Sequence, residues 1–174
     1  MIYIAFEKCE DNITSQKKAA KKAKKLLFSH FDINCETVLS ENGKPQLDDN
    51  RYHISSSHSG NVAVFALRCK EEKYDLPENV FTVFENGEGD IGIDVELIPD
   101  NRQLDRLNRI SVRFMKRKFA NVTELIKKWT LCEAYTKLCD IPLADSFKAH
   151  ITATPAYCGT VSFDDKEYYL TVLV

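Results

Sequence analysis

The sequence has no run approaching the ~18 consecutive apolar residues of a membrane span, and Met1–Glu7 lacks the cationic lead and apolar stretch of a secretory leader. Neither a membrane nor export is expected, which makes the reducing cytoplasm the expected location. Its six cysteines, Cys9, Cys35, Cys69, Cys132, Cys139 and Cys158, include no CxxC pair and no histidine at zinc-site spacing. That argues against a zinc module and against a disulfide framework. A G-x-S-x-G elbow is also missing, which disfavours a serine hydrolase. Positive charge is not in excess: the formal net charge is -2, so no nucleic-acid partner is expected. Low-complexity tracts are absent as well, and 44% hydrophobic with 29% charged residues is a globular composition rather than a disordered one.

What is present is a chain of 174 residues, enough for one domain or two fused halves. Six lysines crowd Lys17–Lys25, while Glu71, Glu72, Asp75, Glu78, Glu85, Glu88 and Asp90 make 70–90 acidic; such runs are mostly solvated faces. Residues 2–7 read as a strand, and Thr14–Phe31 as a helix with Ala20, Ala23, Leu27 and Phe31 in one stripe. Strands are predicted at 33–39, 52–56 and 62–67, with turns at Gly43-Lys44-Pro45 and Ser59-Gly60-Asn61. A strand at 80–84 lies between turn signals at 76–79 and at Asn86-Gly87-Glu88-Gly89. Beyond it come a strand at 91–97, helices at 102–118 and 122–139, and strands near 147–154, 159–163 and 167–173. Asn121 three residues before Glu124 is a capping box that starts the second of these helices.

In Ile91-Gly92-Ile93-Asp94-Val95-Glu96-Leu97, the strand period of two puts Gly92, Asp94 and Glu96 on one face. Adjacent carboxylates repel unless water, a base or a cation intervenes, and hard oxygen ligands suit Mg²⁺ carrying waters and phosphates. Taken alone, a strand with one solvated acidic face is the commoner arrangement. In Trp129-Thr130-Leu131-Cys132-Glu133-Ala134-Tyr135-Thr136-Lys137, Glu133 lies about 40° from Trp129 and Lys137 about 40° further round. Glu133 therefore borders a face expected to be buried with Leu125, Trp129 and Cys132, where a carboxylate needs a partner. An i,i+4 ion pair with Lys137 is one possibility; a shared cation with Asp94 and Glu96 is the other. Ser57-His58-Ser59-Gly60 reads as a phosphate cradle or as a plain polar turn.

Four stretches taken in order resemble the 4'-phosphopantetheinyl transferase superfamily, in its larger surfactin-synthetase-activator-like branch. They are Gly43-Lys44-Pro45, Ser57-His58-Ser59, Ile91-Gly92-Ile93-Asp94-Val95-Glu96, and Trp129-Thr130-x-x-Glu133-Ala134-x-x-Lys137. The resemblance spans 43–137 and rests mostly on the last two. It implies an α+β pseudo-dimer of two similar α/β halves, 1–88 and 89–174, with coenzyme A in the cleft between them. It implies Asp94, Glu96 and Glu133 as Mg²⁺ ligands, and Lys137 as the phosphate-contacting lysine that stabilises departing 3',5'-ADP. Ser57, His58 and Lys44 are implied to contact coenzyme A, and Glu133 to accept the proton of a serine on an acyl- or peptidyl-carrier protein, an acidic partner that lysines near the cleft would steer. Lys17, Lys18 or Lys21 are candidates for the 3'-phosphate without a secure alignment, and a monomer is expected.

Three departures stand against the family pattern. Cys132 replaces a lysine, so Cys132→Lys is expected to leave activity equal or higher. The stretch Arg113–Phe119 lacks an acidic residue often found at its end. Asp94 follows His58 by 36 positions, longer than the pattern, so 70–90 is expected to be an inserted hairpin. Two alternatives stay open: a non-catalytic relative that binds coenzyme A or a carrier protein, and a metal-dependent phosphohydrolase.

Overall fold

The computed structural model describes residues 1–85 and 87–174; Asn86, in the turn predicted at 86–89, lies outside them. Three strands of continuous apolar or small residues set the centre of the molecule. β1 (Ile2–Lys8) is buried along its length except at Lys8, β5 (Val62–Arg68) is buried throughout, and β9 (Lys166–Leu173) is buried from Tyr168 onward. Strands without a solvated face need cover on both sides, and here they have it.

The first sheet is antiparallel in the order β4-β5-β1-β6, with β4 spanning His53–Ser59 and β6 spanning Val80–Val83. One of its faces, through Tyr3, Ala5, Phe65 and Leu67, packs on Ala23, Leu27 and Phe31. These belong to or cap α1 (Ile13–His30), which Asn12 starts by accepting the Ser15 amide hydrogen at 2.9 Å. Ala23, Leu27 and Phe31 of the predicted stripe are buried, Ala20 is half-buried, and Gln16 and Ala19 extend the buried face toward the start of α1. The other face of the sheet, through Ile2, Ile4, Val62, Val64 and Ala66, packs on Ile91, Ile93, Val95, Leu170 and Val172. All but Ile91, which directly precedes β7, come from the second sheet, antiparallel in the order β7-β9-β8, with β7 at Gly92–Leu97 and β8 at Pro155–Phe163. The far face of that sheet carries α3 (Val122–Cys139), beside α2 (Leu104–Met115). The result is a mixed α+β stack of helix, sheet, sheet and helix. No helix of the described residues is long and apolar enough to cross a membrane.

Several local expectations are corrected. The stretch predicted as a strand at 33–39 pairs only over β2 (Thr37–Leu39), which forms a two-stranded ladder with β3 (Pro45–Leu47) around the Gly43 turn; Gly43 has φ +84°, which glycine adopts without steric cost. In place of a strand at 147–154, the short α4 (Leu143–Ser146) leads through a turn into irregular chain. The acidic stretch is not an inserted hairpin: β6 pairs with the free edge of β1. Its end is clamped by the buried Arg68 guanidinium, which donates to the Gly89 and Asp90 carbonyls at 2.9 Å each and pairs with Glu85.

Candidate active site

β7 is the edge strand of its sheet, and its outer edge lies against β4 of the other sheet. Its Gly92, Asp94 and Glu96 face α3, as the period of two requires. The helix comes very close: a Cβ built on Gly92 would sit 2.0 Å from the Ala134 carbonyl oxygen and 2.7 Å from the Leu138 nitrogen. On α3, Glu133, Ile126, Lys137 and Thr130 fall within an arc of about 60°. That arc meets the sheet: Thr130 Oγ1 is 2.9 Å from Thr171 Oγ1 of β9, and Lys137 reaches β7. The contact face thus runs through Thr130 and Ala134 rather than Trp129, which is half-buried against Phe147.

Asp94 is the best-buried charged group of the cluster, with 1% of its surface exposed. Its Oδ1 accepts from Lys137 Nζ at 2.7 Å and from Ser57 Oγ at 2.6 Å. Lys137 also donates to the Ile93 carbonyl at 3.0 Å. The ion pair of Lys137 is therefore with Asp94 across the helix–strand contact, not the i,i+4 pair with Glu133. Glu96 accepts from Ser59 Oγ through Oε2 at 2.6 Å. Burial first, and then the charges of Asp94 and Glu133, push the Glu96 carboxyl up to about 8. Burial and Asp94 raise Glu133 as well, with Lys137 and the Trp129 side chain pulling the other way. Glu96 and Glu133 thus share a poorly solvated space with the Asp94 charge, so these two favour their neutral forms unless a cation arrives.

The remaining predicted residues divide. Ser57 and His58 are sequence neighbours on opposite faces of β4: Ser57 is 8% exposed and turned to Asp94, whereas His58 pairs with Ala63, which packs on α1. Burial, then the nearby Lys137 charge, holds the His58 imidazole below its ordinary value, and Lys17 adds to this. Lys44 is buried and committed, its Nζ 2.9 Å from Asp90 Oδ2 and 3.0 Å from the Leu138 carbonyl near the end of α3. Asp90 also accepts from or pairs with His53 Nδ1 at 3.1 Å. A cleft of about 250 Å³ opens between these elements, lined among others by Gly43, Lys44, Pro45, Ser56, Thr136 and Lys137. A larger cavity, about 550 Å³, lies beside Arg51, His53, Arg68 and Lys70, but it holds none of the predicted residues, and Arg51, Arg68 and Lys70 already pair with Asp49, Glu85 and Glu88.

Asp90 went unrecognised in the sequence, and Ser59, read there as part of a phosphate cradle or a polar turn, was not placed on Glu96. For Ser59 the signal was present in the period-two serines 55, 57 and 59 of one strand. For Asp90, 46 positions from Lys44, local sequence holds no signal.

The donor set suits a hard divalent cation in part. Asp94 Oδ2 is buried with no hydrogen-bond partner, a place a cation would satisfy. Glu96 stands two residues along on the same face. Among the described residues, however, no three His, Cys, Asp or Glu side chains are grouped closely enough to hold a metal, so Glu133 does not complete a closed cage. Mg²⁺ commonly takes one or two carboxylates and fills its remaining positions with water and phosphate, and Asp94 with Glu96 fit that pattern. No protein-family model matches the sequence, and no curated protein matches it.

Proposed function

We propose that the chain is a Mg²⁺-dependent 4'-phosphopantetheinyl transferase that moves the phosphopantetheine arm of coenzyme A to a serine of an acyl- or peptidyl-carrier protein, releasing 3',5'-ADP. The two helix-backed sheets then correspond to the two halves of the pseudo-dimer. The observation that carries this reading is Asp94 and Glu96 on one face of β7, with Lys137 of α3 bonded to Asp94, the Glu133 carboxyl within electrostatic reach, and Asp94 Oδ2 left unpartnered.

Asp94 and Glu96 would hold the cation, which when bound neutralises charge on the pyrophosphate. Lys137 sits at the wall of the cleft with its ammonium on Asp94, so a phosphate entering there meets a cation already held in place. Once Asp94 is satisfied otherwise, Lys137 is free to stabilise the leaving group. Glu133, with its carboxyl raised, is suited to take the proton of the carrier serine. The cleft is below the ~300–1,000 Å³ of sites that enclose a whole ligand, so it would take only part of coenzyme A. Lysines of α1 offer steering for an acidic carrier.

One set of contacts favours a second reading. Lys44 and Ser57 are both bonded to protein groups, which suits a relative that binds a carrier protein or coenzyme A without transfer. Incubation with coenzyme A, Mg²⁺ and several apo-carrier proteins, followed by mass spectrometry of the carriers, separates the readings. Gain of one phosphopantetheine supports transfer, binding without gain supports the relative, and cleavage of coenzyme A without carrier modification indicates a phosphohydrolase. Asp94→Ala is expected to abolish transfer with the fold retained by circular dichroism; normal turnover in that variant would remove the metal assignment.

A further inference from the structure

Ser55, Ser57 and Ser59 alternate along β4, and all three reach β7. Ser55 Oγ accepts the Ile93 amide hydrogen at 3.1 Å, and Ser59 Oγ accepts that of Leu97 at 3.1 Å. A serine hydroxyl has one hydrogen to give. That of Ser59 goes to Glu96 Oε2 at 2.6 Å, and that of Ser57 to Asp94 Oδ1 at 2.6 Å. Serines two apart on one strand therefore meet acids two apart on the other. Each acid has one oxygen held, and the second oxygen of Asp94 is left without a partner.

Ser59 differs from Ser57 in being fixed itself. The Leu97 amide sets the direction of its lone pair and hence of its proton. Glu96 has two more rotatable bonds than a serine and would otherwise swing away from Asp94, whose like charge repels it. We propose that Ser59 is a positioning residue for a divalent cation at Asp94 and Glu96: it anchors Glu96 by Oε2 and leaves Oε1 to the cation. This rests on the proposed reading that these two acids hold a divalent ion. Groups that orient metal-binding carboxylates typically change affinity by ~10–100-fold when removed.

The test is Mn²⁺ titration followed by electron paramagnetic resonance on the wild type, Asp94→Ala, Ser59→Ala, Ser59→Thr and Ser55→Ala, with thermal denaturation of each. Ser55→Ala is the control, since it deletes the same kind of bond to β7 but touches neither acid. The expected result is Mn²⁺ binding weakened about 10–100-fold in Ser59→Ala, restored in Ser59→Thr, and unchanged in Ser55→Ala. Equal weakening in Ser55→Ala and Ser59→Ala would reduce Ser59 to a structural bond and overturn the inference. If Mn²⁺ binding is lost in Asp94→Ala but unchanged in Ser59→Ala, only the role of Ser59 falls. If the wild type binds no Mn²⁺, or Asp94→Ala binds as the wild type does, the metal reading falls and this inference with it.

Discussion

Raising the pH of the protein in the presence of a chelator is expected to destabilise it, and Glu96→Gln is expected to reduce that sensitivity. The Glu96 carboxyl moves from its ordinary 4.5 in the unfolded chain up to about 8 in the fold. Between those values the folded state holds a proton that the unfolded state has released, so stability falls as pH rises. The contribution is complete below about pH 4.5 and lost as the pH passes through about 8. At ~1.4 kcal/mol per unit, the full span corresponds to roughly 4–5 kcal/mol. Solvent contact at Glu96 screens part of this, so an effect of about 2–4 kcal/mol is expected. With ~2–4 °C per kcal/mol for a chain of this size, Tm is expected to drop by roughly 5–15 °C from about pH 5 to about pH 8.5 relative to the Gln variant. Scanning fluorimetry of both proteins in one buffer series cancels the titrating groups outside the cluster. Adding Mg²⁺ at the upper end is expected to restore the wild type alone, because a cation removes the cost of ionising the cluster. A constant difference in Tm across the series, or a wild type that gains on the Gln variant as pH rises, would refute the reasoning.

Cys132→Lys, which the family pattern implies leaves activity equal or higher, is expected to destabilise the protein on the order of several kcal/mol. Cys132 is 0% exposed, and an unpaired ammonium there loses its hydration; an unchanged urea midpoint would contradict this. Thr130→Val leaves the Thr171 hydroxyl without its partner at 2.9 Å in a buried position. A loss of about 1–3 kcal/mol is expected in urea denaturation, and a loss below about 0.5 kcal/mol would show that Thr171 finds another acceptor.

The parts of the molecule that were legible in the sequence are those governed by neighbours along the chain. Asn121 does accept the Glu124 amide hydrogen, at 2.8 Å, and α3 does run from Val122 to Cys139. The alternation in 91–97 placed Asp94 and Glu96 on one face because a strand has no other option. What those acids meet was not legible. Lys137 bonds Asp94 from 43 positions away and Ser57 from 37, and those distances are closed by the packing of two sheets and a helix rather than by local pattern. The missed β3 is three residues long and begins with Pro45, which carries no amide hydrogen to signal pairing. The false strand at 147–154 has β-branched residues at Ile151, Thr152 and Thr154, a composition that favours strands wherever an edge is open. The break predicted between the strands at 159–163 and 167–173 falls on the turn between β8 and β9, where Asp164 (φ +52°) and Asp165 (φ +59°) take positions more often filled by Asn-Gly.

At residue 92 the absence of a side chain lets main chain rest directly on main chain, with no pliable rotamer interposed between strand and helix. Any sliding of β7 is passed undamped to the turns of α3 that carry Glu133 and Lys137. The spacing among the charged groups is thus set by how two stiff rods are stacked, and side-chain repacking elsewhere in the interior has little leverage over it.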